Sequence, residues 1–183
     1  MIDAYVVTES EHDGNLLKKL LPESVTGNVY FVAGKGRYNA ESLASTILAT
    51  RRVPTVLVID ADTERESAAH ETESYARHLL ADAAAGVPFD VVVAVPELEV
   101  LFLRDKSLLE KVAGRGISSE EWRLSQSNPQ ALLDAVLSRR SKDMVDRLSG
   151  EDIAALRTHP LIAHLSQFLS SAPTSLIGNE AAV

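Results

Sequence analysis

Apolar and polar positions follow two rhythms along the first hundred residues. Short runs rich in β-branched and aromatic residues, Ala4–Thr8, Val29–Ala33, Thr55–Ile59 and Phe89–Val95, have the length and composition of buried strands. Between them the apolar positions recur at helical spacing. Gly14–Leu21 reads as a helix ended by Pro22, and Asn39–Arg52 as a helix with Leu43, Ile47 and Leu48 on one face. Glu64–Ala85 is a long helix, polar at first and alanine-rich later, stopped by Gly86 and Pro88. Strands alternating with helices at this spacing predict βαβ units. The fold expected is α/β: a Rossmann-like, mostly parallel four-stranded sheet flanked by helices.

The strand rhythm stops near residue 105. Pro96-Glu97-Leu98-Glu99 opens a further helix, and helical patterns follow over Leu108–Ala113, Pro129–Ser138, Ser141–Leu148 and Gly150–Leu169, the last interrupted near Pro160. The final ten residues, with Gly178 and a run of small side chains, read as a frayed end. Residues 1–105 are thus expected to form the α/β core, and residues 106–183 a helical C-terminal extension packed on it.

Composition narrows the function. The 183 residues suit one domain, and 45% hydrophobic content can build a real core. The absence of cysteine excludes disulfides, zinc–thiolate sites and thiol catalysis. No apolar run reaches 18 residues and no basic-then-apolar leader precedes the first strand, so a soluble, cytoplasmic protein without membrane partners is expected. The net charge of −8 is unevenly placed. Residues 1–100 carry 8 Lys/Arg against 16 Asp/Glu, whereas residues 101–183 carry 10 of each. Such acidity disfavours non-specific nucleic-acid binding, which needs Lys and Arg at phosphates. Bound metal ions would offset part of that charge locally.

The candidate chemistry lies where strands end. Thr55-Val-Leu-Val-Ile-Asp60-Ala-Asp62 closes a buried strand with two carboxylates, and strand alternation predicts that both point to one side. Two carboxylates so close repel unless a cation lies between them or one binds a proton. Ligands of open α/β sheets bind at such strand ends, and all-oxygen donors favour Mg²⁺ or Mn²⁺. Glu9 and Asp13 follow the first strand, and Glu97 and Glu99 follow the fourth. Acids from three strand ends of one parallel sheet open on the same rim. Asp13, Glu97 and Glu99 also suit the first turn of a helix, where acids are favoured. Glu64, Glu66, Glu71 and Glu73 read as a solvated helix face.

Two families share this pattern. Asp60-Ala-Asp62-Thr63 resembles the first motif of HAD-type phosphatases, in which the first Asp is a nucleophile and the second a general acid/base. In that family the motif sits on the first strand, whereas here two strand–helix units precede it. Glu9 after the first strand with Asp60 and Asp62 after the third more closely resembles the Toprim domain of type IA topoisomerases, bacterial primases and OLD-family nucleases. Asp13 and the Pro-Glu-Leu-Glu segment are most similar to the OLD-type subset. The resemblance spans about residues 3–105. Ser10 stands where primases and topoisomerases commonly have glycine, and Tyr5, Tyr30, Tyr38 and Tyr75 lie in or beside core elements rather than at a strand-transfer position.

The Toprim resemblance implies a nuclease that uses Mg²⁺ or Mn²⁺ on DNA or RNA. Asp60 would bridge two ions; Glu9 and Asp13 would complete one, and Asp62 with Glu97 or Glu99 the other. Lys35 or Arg37, in the loop after the second strand, would hold the scissile phosphate, or the two are simply exposed bases of a glycine turn. The chain lacks the ATPase segment fused to OLD nucleases, which points to a separate protein partner such as an ATPase. A non-catalytic Toprim-like interaction module remains a third alternative. Arg139, Arg140, Lys142 and Arg147 are candidate backbone contacts or a solvated helix end, and Trp122 is expected to pack the C-terminal helices.

Overall fold

The computed structural model describes residues 2–137 and 144–172. Its first half alternates β1 (Ala4–Thr8), α1 (Glu11–Leu20), α2 (Glu23–Thr26), β2 (Val29–Ala33), α3 (Arg37–Arg51), β3 (Thr55–Asp60), α4 (Glu66–Ala84) and β4 (Phe89–Ala94). A 3-10 helix, Leu98–Arg104, then leads into α5 (Lys106–Ala113), α6 (Ser119–Ser127) and α7 (Pro129–Val136). A short 3-10 turn, Val145–Arg147, precedes α8 (Gly150–Leu156) and α9 (Pro160–Ser171).

The four strands form one all-parallel sheet in the order β2-β1-β3-β4. Ala4 pairs with Val29, Thr8 with Val58, and Asp60 with Ala94, so the carboxyl ends of β1, β3 and β4 lie along one rim. The chain leaves β1 toward β2 on one side and resumes with β3 on the other. The crevice between the ends of β1 and β3 is therefore the topological switch point, where ligands of open α/β sheets bind.

Every residue of β3 is buried, because helices cover both faces of the sheet. On one face Tyr5, Val7, Leu57, Ile59 and Val91 pack against Leu48 of α3 and Leu80 of α4. On the other, Val6, Val56 and Val58 share a core with Leu16 of α1, Phe102, Leu109 of α5, Leu133 of α7 and Leu165 of α9. The C-terminal helices thus complete the second face of the sheet. Trp122 is half-buried against this core, which gives it the packing role expected. No helix among the described residues is long and apolar enough to cross a membrane.

Local chemistry moves several boundaries. Helix α1 begins three residues before Gly14, because Ser10 caps it and Asp13 returns the bond to the Ser10 amide. The Pro96 segment opens a 3-10 helix rather than an α-helix. Helix α6 has too little apolar surface to show as a periodic pattern, yet the box Ser118/Glu121 starts it. The interrupted segment near Pro160 is two helices, with His159 capping the second and Pro160 at its first position. Of the helix expected over Ser141–Leu148 only the 3-10 turn Val145–Arg147 is present among the described residues, and α7 ends at Val136. Ser138, Arg139, Arg140, Lys142 and the C-terminal end around Gly178 lie outside the described residues.

Candidate functional site

The rim of the sheet is built by backbone before any acid takes part. After β1, the Thr8 hydroxyl donates to the Ser10 carbonyl, while the amides of Gly34 and Gly36 donate to the carbonyls of Thr8 and Glu9. Gly34 is required by close approach, since a Cβ there would lie 2.8 Å from the Ala40 Cβ and closer still to its backbone. These contacts hold Glu9 against the end of β3, where Glu9 Oε1 accepts the Asp60 amide at 3.0 Å. Beyond β4 the chain turns through a cis Val95-Pro96 bond, the Pro96 carbonyl accepts the Asp62 amide, and the Leu98 amide donates to Asp60 Oδ1 at 2.9 Å.

Three carboxylates, Asp13, Glu99 and Glu9, converge on Asp60. Asp60 is 8% exposed, Asp13 4% and Glu99 7%, so this is an acid cluster withdrawn from water rather than a solvated face. Burial, followed by the charges of Asp13, Glu99 and Glu9, pushes the Asp60 carboxyl up to about 8; the Leu98 amide opposes the rise only in part. His12 Nε2 lies 3.5 Å from Glu99 Oε1 and adds a titratable group on the α1 side. Asp13 is a first-turn acid of α1, as expected, and its charge acts on Asp60.

Asp62 departs from the expectation of a shared side. Strand β3 ends at Asp60, and Asp62 adopts a left-handed backbone with φ of 52°, so alternation no longer sets its direction. Its carboxylate is largely exposed and pairs with Arg37 Nη2 at 2.6 Å. That same Arg37 nitrogen donates to the Asp60 carbonyl, and Arg37 Nε lies 3.5 Å from Glu9 Oε1. The basic group at the site is therefore Arg37. Lys35, with φ of 62°, is exposed and forms no ion pair among the described residues. Glu97 is half-buried, and the charge of Glu99 acts on Asp60.

Glu41 is the residue that sequence reasoning missed. It lies one turn after Arg37 on α3 and is 4% exposed. Burial raises its carboxyl above the ordinary range, Arg37 lowers it, and Glu9 raises it again. A signal was present: Glu41 shares the buried stripe of Ala40, Ala44, Ile47 and Leu48, where a charge is unusual. Glu64 also differs from its expected place. It precedes α4 and accepts the Gln130 amide at the start of α7.

The donor chemistry suits a hard divalent cation: only oxygens, a surplus of negative charge, and a buried carboxyl that keeps its proton unless a cation replaces it. Among the described residues no three His, Asp or Glu side chains are grouped so that they could hold a metal ion. An ion at this rim would rest on one or two carboxylates and water, with Asp60 and Asp13 or Glu99 as the residues that would hold it.

The other buried charged cluster lies at the opposite rim, near the start of β4. There Asp90 joins Arg77 of α4 at 2.7 Å to His164 of α9. Comparison of the chain with protein-family models, with curated proteins and with solved structures yields no match.

Proposed function

We propose that this chain is a divalent-metal-dependent phosphodiesterase that cleaves nucleic acid at the acidic rim between β1 and β3. One observation carries the reading: Asp60, buried at the switch point, is crowded by Asp13, Glu99 and Glu9 until its carboxyl rises to about 8. A carboxyl with three acidic neighbours and, among the described residues, no basic side chain hydrogen-bonded to it is poised to exchange its proton for a cation. A bound Mg²⁺ or Mn²⁺ supplies Lewis-acid stabilisation of the phosphoryl oxygens and a water made nucleophilic at neutral pH.

The residues divide the remaining work. Asp60 holds the ion, with Asp13 and Glu99 as flanking donors. Glu9 fixes the Asp60 main chain through its amide, and His12 orients Glu99. Arg37 neutralises Glu9 and Asp62 rather than reaching outward for phosphate. Charge on the ion also lets a polyanionic substrate approach an otherwise acidic surface. On this reading DNA or RNA is the substrate, and the chain acts in the cytoplasm with a separate ATPase as its partner.

The HAD-type alternative fits less well. Asp60 lies on the third strand, in the sheet interior, and its Oδ1 is engaged by the Leu98 amide. The second acid of that motif, Asp62, is turned outward onto Arg37. The test is incubation of labelled DNA and RNA with the protein and Mg²⁺ or Mn²⁺. Metal-dependent cleavage by the wild type, lost in Asp60→Asn, supports the proposal. Hydrolysis of a small phosphomonoester with an aspartyl-phosphate on Asp60 would transfer the site to the HAD reading. Inertness toward all of these substrates would leave an interaction module.

A further inference from the structure

The two edges of the sheet are finished differently. At the β4 edge, side chains stand in for a neighbouring strand: the Val91 amide donates to Asp90 Oδ1 and the Val91 carbonyl accepts from Arg77 Nη2, both at 2.8 Å. The β2 edge has no such cover among the described residues. The Gly34 amide donates to the Thr8 carbonyl, so by alternation the main-chain groups of Tyr30 and Val32 turn toward β1. Those of Val29, Phe31 and Ala33 turn away from the sheet and have no hydrogen-bond partner among the described residues. Strand β2 reads Val-Tyr-Phe-Val-Ala, without the proline or charge that commonly blunts an edge. Helices α1 and α2 pack on one of its faces, whereas α3 lies over β1 and β3. Tyr30, on that second face, meets the Tyr5 ring at 5.6 Å yet is 54% exposed.

We propose that β2 pairs antiparallel with β2 of a second copy of this chain, about a twofold axis at Phe31, to give one continuous sheet across a homodimer. The strand is self-complementary in that register. Val29 of each copy lies opposite Ala33 of the other and Phe31 opposite itself, so every outward amide meets an outward carbonyl. On the α3 face Tyr30 meets the partner's Val32, an aromatic–β-branched pair of the kind that stabilises adjacent strands. Charge fits as well. Lys35, exposed just beyond β2 and without an ion pair among the described residues, comes opposite the partner's Gly27. Two acidic residues flank that glycine: its amide donates to the Glu23 carbonyl, and Asn28 beside it donates to Asp3 Oδ2 at 2.8 Å.

Sedimentation equilibrium across the micromolar range is expected to show a monomer–dimer equilibrium for the wild type. Ala33→Pro removes an outward amide without touching the bonds to β1, and Tyr30→Lys takes the exposed aromatic out of its cross-strand pair. Each should weaken the dimer about tenfold or more, with a melting curve showing that the chain still folds. The register has its own readout, because the chain has no cysteine. Oxidation of a mixture of Tyr30→Cys and Val32→Cys proteins should give a cross-linked pair, and neither protein alone should. A wild-type chain that stays monomeric up to millimolar concentration would overturn the inference. A dimer that both folded variants leave intact, or cross-linking no greater in the mixture than in the single proteins, would overturn it too.

Discussion

The Glu9 carboxylate accepts the main-chain amide of Asp60 at 3.0 Å, which joins the end of the first strand to the end of the third across 51 residues of sequence. This bond converts two separate strand ends into one rim and fixes the backbone from which the Asp60 carboxylate projects. Glu9→Ala would leave the amide unpartnered and is expected to cost about 1–3 kcal/mol in urea denaturation. Glu9→Gln keeps an acceptor oxygen, so it should restore most of that stability while leaving Mn²⁺ affinity lower than in the wild type.

The raised Asp60 carboxyl predicts an inverted pH dependence. Its folded value of about 8 exceeds the ordinary 3.8, so the native state binds the proton more tightly than the unfolded chain. Stability of the metal-free protein should therefore fall as pH rises from about 4 to about 8 and level off above that. Asp60→Asn should remove the slope and stabilise the metal-free protein by more than about 1 kcal/mol at pH 9. Because an ion displaces the proton, Mg²⁺ affinity should climb across the upper part of the same window, with proton release measurable by calorimetry in buffers of different ionisation enthalpy.

Gly34→Ala should damage the site through the backbone. The added methyl meets Ala40 in the first turn of α3, the turn that carries Arg37 and leads to Glu41. Overpacking against main chain is expected to cost about 1–3 kcal/mol. Near-ultraviolet circular dichroism and urea denaturation would register the shift; an unchanged midpoint would mean that α3 yields freely.

Much of this arrangement was legible in the sequence. The strand run ending in Asp60 identified a buried parallel strand with an acid at its exit, and the alternation of patterns predicted the four-stranded α/β core. Two features were hidden. The direction of Asp62 depends on a left-handed residue just past the strand, where period-two alternation no longer applies. Glu41 shares the apolar stripe of α3, but its burial follows only from the packing of α3 on β1 and β3. Arg37 rather than Lys35 faces the acids because helix α3 begins at Arg37, whereas Lys35 sits in the exposed turn before it.

The opposite rim offers a control. Asp90 accepts from Arg77 and from the Val91 amide and also meets His164, joining α4 and α9 to the edge strand β4. Asp90→Ala should cost about 1–3 kcal/mol by taking the acceptor from the Val91 amide, while Arg77 keeps Glu73 and the Val91 carbonyl. Mn²⁺ affinity should stay within twofold of the wild type, because Asp90 pairs with Val56 near the start of β3 whereas Asp60 closes its other end. A large loss of affinity would show that the two rims are coupled.

The most direct measurement of the central claim is the anomalous scattering of Mn²⁺ in crystals of the protein. The account predicts an ion in contact with the Asp60 carboxylate and flanked by Asp13 or Glu99, absent from Asp60→Asn crystals grown in the same way. A fully loaded crystal with no anomalous peak at the β1–β3 rim, or with the ion bound elsewhere and Asp60 still bare, would contradict it.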